Sequence, residues 1–502
     1  MSTFLGIDIG TFESKGVLVS DQGQVLAQAA RPHRMLVPQP GWAEHRPQQD
    51  WWDDLAAISR ELLDKTRVPP AEVKGVGVSA IGPCMLPVDA DGHALMNAVL
   101  YGVDTRAVAE IEELTRRIGT EALLRECGVT LTTQSVGPKI LWLRRHRPEI
   151  FARTAKVVNS STYLVQRLTG ECVIDHYSAA GFAPLYDIAR REWSDALAPD
   201  IIPLDRLPRP VPTMAIAGGV TAAAAAETGL AAGTPVIAGT IDAAAEAFSI
   251  GVHEPGDLML MYGSTIFAIL VSRAPIRDAR LWYVPWIIEG LHASAAGLAT
   301  SGTLTHWFRD QIGRDLPHDQ AMPLLAQEAA AAPPGAEGLV VLPYFSGERT
   351  PIHDPRAKGV IFGLNLTHTR AHLFRAFLEG IAFGVRHLMV PYAEAGEPPR
   401  RVVAVGGGTK NAVWLQAVSD IGGIAQSLPR VTFGASLGDA MLAAIATGAA
   451  TLEQVRGWNP EAGMARPDPA LKPLYDAQFG IWRGLYDRTK ELMARLPVAG
   501  SS

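Results

Sequence analysis

The N-terminal segment brings together an acid, a glycine and a lysine at a spacing that suits phosphate chemistry. Asp8 lies two residues before Gly10, Thr11 comes next, and Lys15 follows Thr11 by four residues. A glycine bend lets backbone N–H groups approach an anion closely, while the threonine hydroxyl and the lysine ammonium add donors. The carboxylate can hold a magnesium ion through water. The segment therefore indicates a phosphate-binding turn, with an ordinary hairpin turn as the structural alternative.

A second acid, Asp242, lies between a short apolar segment at 234–238 and a predicted helix at 242–249. A carboxylate at a helix start can accept backbone N–H bonds and interact favourably with the helix dipole. At the mouth of a cleft, the same carboxylate can accept the proton of a hydroxyl that attacks a phosphoryl group. The residues alone leave both roles open.

Three glycines at 406–408 follow a predicted strand and precede a predicted helix, so that backbone could approach a nucleotide closely here. They lack the spacing of a dinucleotide fingerprint, which disfavours a nicotinamide dehydrogenase, and the chain has neither a Walker nor a protein-kinase H-R-D motif. The 13 histidines form no zinc-binding spacing. The absence of these motifs therefore argues against the common phosphoryl-transfer folds and against a zinc enzyme.

The elements that must position these residues follow an α/β pattern. The first half predicts an antiparallel meander, then a helix and a strand, at 4–9, 16–20, 24–30, 50–65 and 73–79. The second half predicts a strand, a short helix, a hairpin, a long helix, a strand and a helix, at 234–238, 242–249, 257–271, 369–388, 401–405 and 411–421. We therefore predict two α/β halves with mixed sheets, a boundary near Asp242 and a ligand cleft between them.

Composition narrows the class of protein. The 502 residues are 48% hydrophobic and 19% charged, as in a well-packed globular protein of two or three domains. The net charge of −6 argues against a nucleic-acid partner. The three cysteines match no disulfide or metal spacing, and neither a signal peptide nor a membrane-spanning run is evident. We therefore expect a cytoplasmic protein without a membrane or nucleic-acid partner.

Nine segments, taken in order, resemble the FGGY carbohydrate kinases, relatives of actin, over essentially the whole chain. They lie at 6–11, 41–47, 104–106, 242–244, 342–351, 358–364, 378–380, 406–408 and 436–440. The block at 342–351, which ends in Ser-Gly-Glu-Arg-Thr-Pro, is the most specific of them. The resemblance implies two ribonuclease-H-like (actin-like ATPase) domains around a central cleft. Residues 1–244 would then bind sugar and phosphate, and residues 245–502 would bind nucleotide.

The resemblance also implies roles for single residues, with ATP and Mg²⁺ as cofactors. Asp242 falls at the catalytic base that takes the proton of the sugar hydroxyl, and Asp8 falls at the magnesium-linked acid. The positions implied to bind the nucleotide and its phosphates are Gly10, Thr11, Lys15, Gly263, Ser264, Gly302, His306, Gly407 and Asn411. Those implied to bind the sugar are Gly82, Pro83, Asp104 and Asp242.

Within the family, the xylulose kinases look nearest, which implies phosphorylation of D-xylulose to D-xylulose 5-phosphate. Where those enzymes carry a Gln-Met-His-Gly sugar contact, this chain has Ile-Gly-Pro-Cys at 81–84 and so lacks the imidazole. Other acceptors such as ribulose, erythritol, glycerol or a deoxy sugar therefore remain alternatives, as does an actin-like ATPase switch without sugar chemistry. A small-molecule sugar and ATP are the expected partners, and a homodimer is the assembly left open.

Overall fold

The computed structural model describes residues 2–496 and contains two seven-stranded sheets. The first sheet has the strand order Ile216–Gly219, Pro235–Ile237, Val73–Ala80, Thr3–Ile9, Glu13–Ser20 and Val25–Pro32, with Thr240–Ile241 also beside Val73–Ala80. The second has the order Trp282–Pro285, His292–Leu298, Ile266–Ser272, Asp257–Tyr262, Arg401–Val405, Gln426–Pro429 and Glu461–Ala465. In each sheet a central strand pairs antiparallel with the next strand and parallel with a later one. The predicted α/β class with mixed sheets is confirmed.

Helices cover both sheets. In the first half of the chain the α-helices are Asp54–Thr66, Val108–Ile118, Thr120–Cys127, Val136–His146, Pro148–Arg153, Ser160–Thr169, His176–Ala179, Ala222–Thr228 and Asp242–Ser249. In the second half they are Gly302–Ile312, Ala321–Ala331, Arg370–Glu394, Ala412–Gly422, Ala435–Ala446, Leu452–Arg456 and Lys472–Met493. Within residues 2–496, none of the helices has the length and apolar character needed to cross a bilayer.

The segment predicted as one helix at 50–65 differs from the prediction at its start. A π-helical turn, Pro47–Asp53, comes first, and the α-helix follows at Asp54–Thr66. Trp51 and Trp52 are both buried in this wider turn. The prediction assumed 3.6 residues per turn, and that period does not reveal a wider turn.

Two helices, Asp242–Ser249 and Ala435–Ala446, form a central helix pair between the sheets, and their apolar residues share one core cluster with strands of both sheets. The two helices lie very close to each other, and the second helix lies very close to the first sheet. A methyl group on Gly6 or Gly77 would collide with the backbone of the second helix, and one on Gly438 would collide with the backbone of the first. This packing fixes the start of Asp242–Ser249 against the first sheet.

Candidate active site

A cavity of about 370 Å³ lies at the start of the helix Asp242–Ser249 and is lined by residues from both halves of the chain. The first half contributes the segment 81–83, the loop 129–135 and residues near the helix start, and the second half contributes residues of the second sheet. The predicted sugar contacts Gly82, Pro83 and Asp242 are all on its wall. A ligand in this cavity would therefore contact both halves.

Asp242 is the first residue of its helix and is partly exposed on the cavity wall. The residue that caps the helix is Ile241, and Asp242 Oδ1 accepts the N–H of the neighbouring Ala243 at 2.7 Å. Burial, with the nearby charge of Glu246, raises the pKa of Asp242 to about 7. A carboxyl with this pKa is suited to accept a proton near neutral pH.

Asp8 ends the central strand of the first sheet beside two other polar residues. Ser79 Oγ lies 3.3 Å from Asp8 Oδ1 and 2.7 Å from Asp439 Oδ2, so the hydroxyl can donate to either acid. Burial and the charge of Asp242 raise the pKa of Asp8 well above its ordinary value. Burial likewise raises the pKa of Asp439, and its Oδ1 atom is buried without a hydrogen-bond partner among residues 2–496. The charge of Lys15 acts in the opposite direction on Asp8 but does not cancel the rise in its pKa. Asp8, Asp242 and Asp439 therefore form a group of acids whose pKa values are all raised.

This group of acids fits magnesium. Mg²⁺ prefers oxygen ligands and is commonly held by one or two carboxylates with water. A divalent cation near Asp8 would neutralise the repulsion between Asp8 and Asp242 that contributes to the raised pKa of Asp8. The unpartnered Oδ1 of Asp439 offers a further acceptor for a metal-bound water.

The turn after Asp8 is held by two buried histidines that the sequence analysis did not single out. The Nε2 atom of His33 lies 3.0 Å from the carbonyl oxygen of Gly10, and that of His45 lies 3.1 Å from the carbonyl oxygen of Thr11. Burial lowers the pKa of His45 to about 4, so this imidazole is neutral. Its Nδ1 accepts from Trp51 at 3.1 Å, which leaves Nε2 to donate to Thr11. With both carbonyls bonded, the turn has a fixed shape.

Lys15 lies directly across the hairpin from Asp8. Its side chain is exposed and forms an ion pair with Glu13 at 3.3 Å. A surface pair of this kind contributes little stability, so the ammonium can exchange Glu13 for a phosphate at small cost.

The structure brings together Gly263, Ser264 and Gly302, which are far apart in sequence. The N–H of Gly302 donates to the carbonyl oxygen of Gly263 at 3.1 Å, and a methyl group on Gly302 would collide with that oxygen. The helix Gly302–Ile312 therefore begins against the second hairpin turn. His306 lies on the exposed side of that helix.

The turn at 406–411 lies beside the same hairpin. Gly406 has a φ of +94°, and a Cβ atom on it would lie 2.6 Å from the carbonyl oxygen of Tyr262. Gly407 has open space where a side chain would be. Asn411 Oδ1 accepts the N–H of Trp414 at 3.1 Å and so caps the helix Ala412–Gly422. Of the residues predicted to bind the nucleotide and its phosphates, Gly263, Ser264, Gly302, Gly407 and Asn411 thus lie at turns next to the second sheet. Asn411 also has a structural role.

Asp104 differs from its predicted role. Its Oδ2 accepts the N–H of Ala43 at 2.7 Å, and Arg106 donates to both of its oxygens and to Glu44 at 2.9 Å. The guanidinium of Arg106 lies 3.9 Å from the ring centroid of Trp42. Asp104 is buried and does not line the cavity. The carboxylate therefore anchors a neighbouring loop, which corrects the expectation of a direct sugar contact.

The cavity wall also holds polar side chains that the sequence analysis did not single out: Glu246, Tyr101, Tyr177 and Arg349. Glu246 follows Asp242 by one helical turn, and this spacing could have identified it. Arg349 lies within the most specific motif block. Tyr101 and Tyr177 have no local signal, because only the tertiary fold brings their loops to the cavity.

Comparison with known proteins gives matches along nearly the whole chain. The models of the N-terminal and C-terminal domains of the FGGY family of carbohydrate kinases match residues 3–249 and 258–447. The xylulose kinase of Bacillus subtilis is 30% identical, with 99% of each chain covered. The glycerol kinase of Citrifermentans bemidjiense is also 30% identical, over 89% of this chain and 91% of its own.

A solved structure shows the same architecture. The crystal structure of xylulose kinase from Rhodospirillum rubrum superposes with a TM-score of 0.92 at 33% identity, covering 98% of this chain and all of its own. This likeness over nearly the whole chain, together with the two mixed sheets, confirms the expected actin-like arrangement. The chain therefore belongs to the FGGY family of carbohydrate kinases, phosphotransferases whose acceptor is an alcohol group.

Proposed function

We propose that the protein is a cytoplasmic, ATP- and magnesium-dependent kinase that converts D-xylulose, or a similar ketopentose, to its 5-phosphate. The observation that carries this proposal is the placement of Asp242. Its carboxyl has a pKa of about 7 and lies on the wall of a sugar-sized cavity. The likeness to xylulose kinases over the full length supports the ketopentose as acceptor.

In the proposed reaction, Asp242 accepts the proton of the sugar hydroxyl while the hydroxyl oxygen bonds to the γ-phosphorus of ATP. The bond from that phosphorus to the bridging oxygen breaks, and ADP leaves. Phosphoryl transfer needs chiefly alignment and charge neutralisation from the protein. We assign the alignment of the phosphates to the turn at Gly10 and Thr11, with Lys15, and to the turn at Gly263 and Ser264.

We further propose that the halves divide the work, with residues 1–244 binding sugar and phosphate and residues 245–502 binding nucleotide. Gly302, His306, Gly407 and Asn411 would line the nucleotide site, since they lie at or beside turns next to the second sheet. Asp8 would hold the magnesium ion through water, with Asp439 close to that water. The ion would supply charge neutralisation to the phosphates.

A second candidate is a kinase for another sugar or polyol. The match to a glycerol kinase at the same identity favours it. So does Pro83, which stands where the resemblance to xylulose kinases implies an imidazole. An ATPase switch without sugar chemistry is the alternative from another class. A switch has no need of a base on the wall of a sugar-sized cavity, and Asp242 therefore weighs against it.

Coupled measurement of ADP release tests the proposal. The acceptors are D-xylulose, D-ribulose, erythritol and glycerol, and the control contains ATP and magnesium without acceptor. We expect ADP release that depends on the acceptor and is greatest with a ketopentose. Turnover of ATP that is independent of every acceptor, with no phosphorylated product, would establish the switch instead.

A further inference from the structure

One side of the cavity is formed by residues without polar side-chain atoms, and we call it the apolar floor. It consists of Ile81, Gly82, Pro83, Gly181 and Ile241. Ile241 directly precedes Asp242. A sugar whose hydroxyl reaches the Asp242 carboxylate therefore has its neighbouring carbons against this floor.

The apolar floor is closely packed. A Cβ atom on Gly82 would lie 2.8 Å from Cγ1 of Ile241, and one on Gly181 would lie 2.7 Å from Cβ of Pro83. Because even a Cβ atom would collide at either glycine, no water molecule fits between the two residues of each pair. A substrate hydroxyl that faces these pairs thus cannot be satisfied by water bound within the floor.

Hydrogen-bonding groups of the floor backbone are partly occupied as well. The N–H of Ile81 donates to the carbonyl oxygen of Ile9 at 2.7 Å. The carbonyl oxygen of Ile81 accepts from the hydroxyl of Ser160 and from the thiol of Cys84. Pro83 has no N–H to donate.

Besides the polar side chains of Asp242, Glu246, Tyr101, Tyr177 and Arg349, the cavity has polar groups on the loop 129–135. Several groups of this loop are already hydrogen-bonded within the protein. Ser135 Oγ accepts the N–H of Thr132 at 3.1 Å, and Thr132 Oγ1 accepts the N–H of Gln134 at 3.1 Å. The carbonyl of the Gln134 side chain accepts the N–H of Gly102 at 3.2 Å. On the second sheet, Phe267 lines the cavity beside Trp282 and extends its apolar surface.

We propose that the acceptor is a small sugar or polyol with a deoxy carbon, a CH₂ or CH₃ group, that packs against the apolar floor. The inference rests on the proposed kinase function and narrows its substrate class. A fully hydroxylated acceptor would bury one hydroxyl against floor side chains that offer it no hydrogen bond. That loss lowers kcat/KM by at least about fivefold relative to the matched deoxy compound.

The test compares matched acceptors with the unaltered enzyme. The probes are D-xylulose with its 1-, 3- and 4-deoxy forms, and erythritol with butane-1,2,3-triol, each assayed for kcat/KM by coupled ADP release. We expect a deoxy member to exceed its parent by at least about fivefold in one series. A preference for the hydroxylated parent in each series that reacts overturns the inference and leaves the kinase assignment standing. Failure of all these acceptors overturns both.

A substitution at the floor gives an independent readout. Pro83→His restores an imidazole donor at this position, and Pro83→Ala is the matched control that removes the ring without adding a donor. We expect Pro83→His to shift the ratio of kcat/KM toward the hydroxylated parent by at least about fivefold relative to Pro83→Ala. An equal ratio in the two variants, both with native circular dichroism, contradicts the role of the floor. If Pro83→His does not fold, the comparison of acceptors with the unaltered enzyme decides alone.

Discussion

At the scale of single residues, the central feature is a pair of acids one helical turn apart on one cavity wall. Asp242 was identifiable from the sequence, because a carboxylate between a strand and a helix is a recognisable signal. Glu246 was identifiable in principle from its spacing, whereas the neutral His45 that holds the Thr11 carbonyl was not. Its role depends on Trp51 and on burial, which only the tertiary fold supplies.

Substitution of Glu246 tests how the pKa of Asp242 is set. The charge of Glu246 raises that pKa, so Glu246→Gln should lower it. Because the deprotonated base is the active form, the acid limb of kcat/KM against pH should move to lower pH. Glu254→Gln, which removes an exposed partner of Arg456, is the control and should leave the limb in place. A limb that is unmoved or shifted upward in Glu246→Gln would show that Glu246 does not act on Asp242.

At the scale of elements, most of the fold could be predicted from the sequence. The helix predicted at 242–249 and the strand predicted at 401–405 have the predicted bounds. The prediction works there because the helix is a short segment between recognisable ends and the strand is a continuous apolar run that is buried on both faces. It failed at Pro47–Asp53, where a wider turn does not follow the helical period, and it gave no sign that Gly438 lies against another helix backbone.

Two helical glycines allow a matched test of this packing. A methyl group on Gly438 would meet the backbone of Ala245, whereas one on Gly480 meets nothing within 4 Å. We expect Gly438→Ala to lower the free energy of unfolding by about 1–3 kcal/mol through overpacking. Gly480→Ala should raise it by up to about 1 kcal/mol, since alanine favours the helix. Equal effects of the two changes in thermal or urea unfolding would contradict the close approach within the central helix pair.

At the scale of the whole molecule, the two halves are joined by packing that sequence patterns do not show. The helix Ala435–Ala446 belongs to the second half of the chain but packs on the first sheet, and Leu437 and Met441 are almost fully buried in the core shared by both sheets. No local signal predicts a contact between segments so far apart, because the apolar face of a helix indicates that it is buried but not against which element. The cleft was predicted from the repeated order of elements. The packing of the helix Ala435–Ala446 on the first sheet was not predicted.

This arrangement predicts the behaviour of fragments. A fragment of residues 1–244 lacks the helix Ala435–Ala446 and exposes the apolar surface that this helix covers. We expect the fragment to bind a hydrophobic dye strongly and to unfold without a cooperative transition, in contrast to the full chain. A monomeric fragment with a sharp thermal transition and little dye binding would show that the first half folds independently.

The central claim, that Asp242 is the base of a sugar kinase, is tested most directly by Asp242→Asn. The measurement is formation of the sugar phosphate from ATP and the best acceptor, followed by ³¹P NMR, with ATP affinity determined on the same preparation. The amide keeps the shape of the side chain and cannot accept the proton. We predict a loss of turnover of at least about 10²-fold with ATP affinity nearly unchanged. Turnover close to that of the unaltered enzyme would contradict the account and assign the base to another residue.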